Sequence, residues 1–295
     1  MDHATFLKSL PAERKTALTV RSDAAGLRHL ALHVGALSAT GTGILLGVPG
    51  WPLLVLIHGI LLSFLFTLAH ECTHQTPFAS RRLNEVVGHV SSALVGMSFT
   101  WFRYFHLAHH KHTNDPAHDP ELAGGPRPDT WRDYAVYLSG WGYWSGNLRT
   151  LWAMARGTLD APYLPHRQRQ GLRREARWLL GLYAFALASL LVSPLLFWIW
   201  LLPMVLGQPA LRLYLLAEHG MCPPVADLFE NTRTTFTNRI VRALAWNMPY
   251  HAEHHAFPNV PFHQLPALHG DVAAHLKSTS DGYAAFTRDY LRDLS

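Results

Sequence analysis

Three short stretches of this 295-residue sequence place histidine where a helix would turn it to one side. They are His70-Glu71-Cys72-Thr73-His74, His106-Leu107-Ala108-His109-His110 and His251-Ala252-Glu253-His254-His255. Residues three and four apart share a helix face, so each stretch can aim two or three imidazoles at one point, as metal binding by a helix requires. An HxxxH pair alone is a common chance pattern. Three imidazoles in five residues, recurring with unrelated residues between them, are not explained by packing. Protonated they repel, and neutral they are costly to bury without partners; shared ligation of a metal removes both penalties. A structural zinc site prefers four ligands, often with thiolate, yet Cys72 sits at i+2 and points away from its own pair. Imidazole-only ligation does not select iron over zinc by affinity, so the metal has to be argued from chemistry.

The elements that must position these side chains are apolar. Only 15% of residues are Asp, Glu, Lys or Arg, against roughly 25% in soluble proteins. None lies in the 42 positions from His29 to His70 or in the 34 from Trp178 to Leu211. A helix needs about 20 apolar residues to cross hydrocarbon, so the pattern predicts an all-α integral membrane bundle of four transmembrane helices. The spans run over about 29–46, 51–69, 178–200 and 201–217, within a single domain over 1–295, and both inter-span turns are uncharged. Basic residues gather in the N-terminal arm, at Arg81 and Arg82, and along Arg167 to Arg177. That asymmetry puts both termini in the cytosol, together with a histidine-rich cap made of 70–177 and 218–295. It also accounts for the net charge of +5 better than nucleic-acid binding does. The N-terminal arm has no stretch of signal-peptide character and reads as retained.

Three smaller readings complete the organisation. The apolar stretch Val86–Phe102 reads as one helix lying at or dipping into the cytosolic interface and returning. The segment from Trp131 to Trp152, rich in Trp and Tyr, reads as an interfacial helix. Tyr283, Phe286, Tyr290, Leu291 and Leu294 fall at helical spacing and predict a packing face. Cys72 and Cys222 read as free thiols, and nothing in the pattern accounts for the polar run Glu230–Asn238. On this topology His219 leaves the fourth span at the same depth as His70, which adds a ninth imidazole. Asn247, four residues before His251, offers an amide oxygen, directly or through water, although Pro249 breaks regular helix between them. Nine nitrogens are too many for one ion and suit two, each keeping an open position. Two such ions beside an apolar bundle suit oxygen activation against an unactivated C–H bond, which needs a redox metal and excludes zinc.

In box order, spacing and topology the chain resembles the integral-membrane fatty acid desaturase and hydroxylase superfamily, whose signature is HxxxH, HxxHH and HxxHH. The flanking residues Lys111-His112-Thr113-Asn114-Asp115-Pro116 and Tyr250 to Pro258 look like the family's extensions of the second and third boxes. The resemblance implies two iron ions held by His70, His74, His106, His109, His110, His219, His251, His254 and His255, with Asn247 as an additional ligand. Glu71, Asp119, Glu218 and Glu253 then become the carboxylates that orient imidazoles, while His112 and His118 fall outside the pattern. It further implies O2 as oxidant, a lipid or acyl substrate in the membrane, and electrons from a separate carrier such as a ferredoxin or rubredoxin. The run Arg167, Arg169, Arg173, Arg174 and Arg177 could dock that carrier or simply set topology.

The leading expectation is desaturation of fatty acyl chains. The near alternative is a hydroxylase or ketolase of the same superfamily acting on a lipid, a carotenoid or a smaller amphiphile. The remote one is a non-catalytic metal-binding membrane protein, which the absence of charge along the span interiors disfavours.

Overall fold

A computed structural model describes all 295 residues. The chain is 68% helical, and the two strands, β1 (Thr234–Thr235) and β2 (Thr279–Ser280), form one short parallel pair. Two short helices open the chain, α1 (His3–Ser9) and α2 (Ala12–Leu18), followed by α3 (Asp23–Leu45). Next, α4 (Trp51–Ser63) and α5 (Leu65–His74) run on as one apolar rod, Trp51–His74. Then come α6 (Arg81–Leu94), α7 (Phe99–His112), α8 (Trp131–Leu138), α9 (Trp141–Arg156) and α10 (Arg169–Ser189). A π-turn over Phe197–Leu201 leads into α11 (Leu202–His219), making a second rod of 23 residues. The remaining helices are short: α12 (Leu228–Asn231), α13 (Arg239–Leu244), α14 (His251–Ala256), α15 (Leu265–Val272) and α16 (Tyr283–Arg292).

Two helices are long and apolar enough to cross a membrane, Trp51–His74 and Phe197–His219. Both end in predicted ligands. The other two expected spans are also helical, but their bounds differ. Over 29–46 the helix starts earlier, at Asp23, because Ser22 caps it by accepting from the Ala25 N–H. The expected span 178–200 is not one helix: α10 stops at Ser189 and the chain turns at 191–194. Pro194 forces this, since the residue before a proline is pushed out of helical conformation. The last span accordingly begins before 201. Pro203 supplies no N–H to the Ile199 carbonyl four residues back, the helix widens into the π-turn, and His58 Nε2 takes that carbonyl at 3.0 Å.

Val86–Phe102 is likewise two helices. The chain reverses at Gly96, whose φ of 81° is easy only without a side chain, and Ser98 then caps α7. The aromatic segment divides at Gly140 into α8 and α9 and keeps Trp131, Trp141 and Trp152 on the surface. The tail packs as its spacing predicts, with Phe286 and Tyr290 of α16 buried beside Tyr134, Leu216 and Ala217.

The rods meet at a crossing of small residues. A Cβ on Gly207 would lie 2.0 Å from the Gly59 carbonyl oxygen, so only glycine lets α4 and α11 approach this closely. That contact sets the spacing between α5 and the end of α11, and hence between the first histidine pair and His219.

Candidate metal centre

The four histidine-bearing elements converge. His70, His74, His106, His110 and His254 place one ring nitrogen each within 4.8 Å of one another, and His109, His219 and His255 form a second such group. His251 joins the second group, its Nε2 lying 3.2 Å from that of His219. All nine predicted imidazoles are therefore together, in sets of five and four. The two HxxHH stretches are used in opposite senses. In α7 the i and i+4 residues serve the first group and i+3 the second; in α14, His251 and His255 serve the second group and His254 the first. The groups adjoin, for the His110 and His255 rings stack at 4.0 Å between centroids.

Nitrogens in this arrangement suit an ion better than each other. The Nε2 atoms of His74 and His106 are 2.9 Å apart, and those of His109 and His219 are 3.2 Å apart. Two ligands at right angles, each about 2.1 Å from a metal, are separated by ~3.0 Å. Both ring nitrogens of His70, His110 and His254 are buried without any hydrogen-bond partner, as is Nε2 of His255. Orphaned buried nitrogens in such number are costly, and a bound cation removes the cost. Burial pushes His106, His110, His251, His254 and His255 well below the ordinary imidazole pKa, which keeps them neutral and ready to ligate. For His109, burial acts the same way but Glu121 and Asp119 outweigh it, so its pKa is raised.

The outward nitrogens are oriented from behind, as metal-bound imidazoles usually are. Asp119 accepts from His109 Nδ1 at 2.9 and 3.0 Å through its two oxygens and also caps the Asn114 and Glu121 N–H groups. Glu218 lies 3.4 Å from His251 Nδ1 and Glu71 3.5 Å from His254 Nδ1, beside these nitrogens but without a hydrogen bond to either. Glu253 does otherwise: it is buried between His269 Nδ1 and the Thr234 hydroxyl and touches no predicted ligand. Asn247 stands in a turn of its own. Its φ of 58° puts it in a tight turn before α14, and its amide donates to the Phe262 carbonyl at 3.0 Å. Cys72 faces the apolar cluster of Leu68, Phe78 and Phe99. His112 and His118 lie beside Asp115 away from both groups, with the His118 side chain 64% exposed.

Sequence reasoning missed the role of the polar run Glu230–Asn238. The Asn231 carbonyl and the Thr232 hydroxyl sit 3.4 Å from His219 Nδ1, and the Asn231 amide ties this segment to the Thr113 carbonyl at the end of α7. Thr113 itself reaches His255 Nδ1 at 3.1 Å. A stretch of Asn and Thr that breaks an apolar pattern beside a ligand is a recognisable signal for such support.

Both groups open onto one cavity of about 790 Å3. Phe66, Met97, Trp101, Phe102 and Phe105 form its apolar wall, His70, His106, His109, His219 and His251 line it beside them, and residues of 121–129, α8, α9 and α11 make up the rest. Residues 47–287 match the fatty acid desaturase family. The chain belongs to that family. It is 33% identical over 69 residues to the Delta(12) fatty acid desaturase of Mortierella isabellina, covering 23% of this chain and 17% of that one. Longer matches run to the sn-1 oleoyl-lipid 12-desaturase of Synechocystis, 24% identical over 72% of this chain and 66% of the relative. The dihydrorhizobitoxine desaturase of Bradyrhizobium elkanii is 28% identical over 79% of this chain and 69% of the relative. The chain thus spans under a fifth of the Mortierella relative's length in that match. The family is membrane-associated, and the histidine groups of this chain are compatible with metal binding.

Proposed function

We propose that this desaturase removes two hydrogens from a methylene pair of a fatty acyl chain in an oxygen-dependent reaction, with iron in both histidine groups. The observation that carries the reading is the pairing of two buried, all-imidazole groups with one cavity that has an aromatic and aliphatic wall. His70, His74, His106, His110 and His254 would hold one ion, and His109, His219, His251 and His255 the other. Bound there, iron supplies the redox chemistry for reducing O2 by the electrons that C–H oxidation and an external donor provide.

The protein's own contribution is placement and exclusion. Phe66, Met97 and Phe105 hold an acyl segment against His106 and keep bulk water from it. Asp119 fixes which nitrogen of His109 points inward, while Glu71 and Glu218 stand within 3.5 Å of His254 and His251. Electrons come from a separate carrier such as ferredoxin or rubredoxin. Three arginines of the run are held locally, for Arg177 donates to the Ala155 carbonyl, Arg169 pairs with Asp160 and Arg173 covers Gly157. We further take α3, Trp51–His74, α10 and Phe197–His219 as four crossings with both termini cytosolic, so that the histidine cap meets the carrier.

Elemental analysis of detergent-purified protein, beside the lipid profile of cells with and without it, tests the reading. Near two irons per chain with a new unsaturated acyl chain supports it. An oxygenated product, heavier by one oxygen, moves the reaction to hydroxylation. Zinc in place of iron, with no turnover after reconstitution with iron, defeats it.

A further inference from the structure

One cation lining the cavity has a buried guanidinium nitrogen without an acceptor. From Trp178 to Leu211 the sequence contains no Asp, Glu, Lys or Arg; the run ends at Arg212, inside the second apolar rod and about two turns, ~10 Å, before His219. Its Nε is buried without a hydrogen-bond acceptor, and it takes no part in the molecule's ion pairs. The guanidinium lies over the rings of Tyr143 and Tyr137, 4.8 and 5.9 Å from their centroids. Aromatic faces hold a cation in place, and the carboxylate whose charge acts on it, Glu218, forms no ion pair with it. A charged side chain in an apolar helix ordinarily faces a cavity and finds a partner there, and Arg212 does line the cavity that opens on the histidines.

The other charged groups lining the cavity are already engaged or sit at its rim. Glu218 faces His251 at 3.4 Å and Glu121 faces His109 at 3.7 Å. Asp133 accepts from the Thr130 hydroxyl at 2.7 Å, and Arg127 donates to Asn114 at 2.9 Å. Asp129 is exposed.

We propose that Arg212 is the counter-charge for an anionic headgroup, a carboxylate or a phosphate, carried by the substrate of this cavity. The proposal rests on the cavity being the substrate site. A guanidinium matches either anion with two parallel hydrogen bonds. An amphiphile with its charge on Arg212 has Phe66, Met97, Trp101 and Phe105 available along its apolar part, beside His106. The class of substrate is then an anionic amphiphile rather than a hydrocarbon, an alcohol or a neutral ester.

Isothermal titration of the full-length, metal-loaded protein in neutral detergent tests this with three probes: octanoate, dioctanoyl phosphatidylglycerol and 1-octanol. One of the two anions should bind at least tenfold more tightly than octanol, and which one does so separates a free acid from a lipid headgroup. In Arg212→Gln that preference should disappear with octanol binding unchanged, and Arg212→Lys should restore part of it. Metal content and melting temperature of each variant report whether it has folded. The comparison of anion with octanol in the unaltered protein needs no variant, so a misfolded Arg212→Gln leaves the test standing. Octanol binding as tightly as both anions, or a folded Arg212→Gln that keeps the preference, overturns the proposal. Because binding is read without turnover, failure of the iron chemistry shows separately, as zinc content or absent product.

Discussion

Replacing Asp119 by Asn keeps shape and removes one charge at a point where the structure allows the loss to be counted. The carboxylate makes four contacts with three donors: Oδ1 takes His109 Nδ1 and the Glu121 N–H, and Oδ2 takes His109 Nδ1 and the Asn114 N–H. An amide has only one acceptor oxygen. Its NH2 faces either the buried Asn114 N–H or the half-buried Glu121 N–H, and a buried donor left unpaired costs about 1–3 kcal/mol. The second effect falls on metal. His109 belongs to the group with His219, His251 and His255, and removing the group that orients a ligand typically weakens metal binding about 10- to 100-fold. The other five histidines draw nothing from Asp119. Elemental analysis after dialysis against a chelator should therefore find Asp119→Asn losing metal from one group, falling from about two ions per chain toward one, with a lowered melting temperature. Full metal retention with unchanged melting would refute the reasoning, and loss of both ions together would show that the groups do not load separately.

Gly207→Ala drives a methyl against the Gly59 carbonyl oxygen at 2.0 Å; overpacking of about 1–3 kcal/mol or more should lower the melting temperature, and an unchanged melt would contradict the close crossing. Cys72→Ser places a hydroxyl in the apolar cluster with Phe78 and Phe99, so stability should drop by about 1–3 kcal/mol while metal content stays full; iron loss in a folded protein would make Cys72 a ligand. Burial alone would raise the Asp227 pKa, but hydrogen bonds from Lys277 and His3 hold it down at about 2. Its contribution is therefore present above the usual value near 3.8 and is lost as pH falls from there through about 2. Hydrogen exchange of α1, which His3 ties to Asp227, should rise over that window in the unaltered protein and show no such step in Asp227→Asn.

The spacing of the histidines was enough to place them on three helices, because helical periodicity leaves little freedom over five residues. Their division into sets of five and four was not legible. It depends on how α7 and α14 are rotated about their axes, which packing against α5 and α11 decides. The direction of Asn247 was not legible for a related reason: consecutive left-handed residues at Trp246 and Asn247 swing the chain before α14, and sequence distance from His251 then says nothing about direction. Glu253 sits inside a box yet faces outward to His269, since only some positions of a short helix can look inward at once. Apolar runs located the rods well but not their ends, because the ends are set by Pro194, Pro203 and Ser22 rather than by hydropathy.

The lengths of the two rods have a bearing on where the centre stands. Twenty-four and 23 residues make helices of about 36 and 34 Å, against a hydrocarbon core of about 30 Å. The excess is roughly one turn on each, and the turn at the ligand-bearing end of each rod holds His70 to His74 in one and His219 in the other. With both rods crossing a bilayer, as proposed, they would work as a depth gauge: bilayer thickness, through tilt or local thinning, would fix how far the histidines stand clear of the lipid tails. A thicker membrane would draw them inward along with the mouth of the cavity, so the same chain would meet its substrate and its electron donor at a different height in each membrane it occupies.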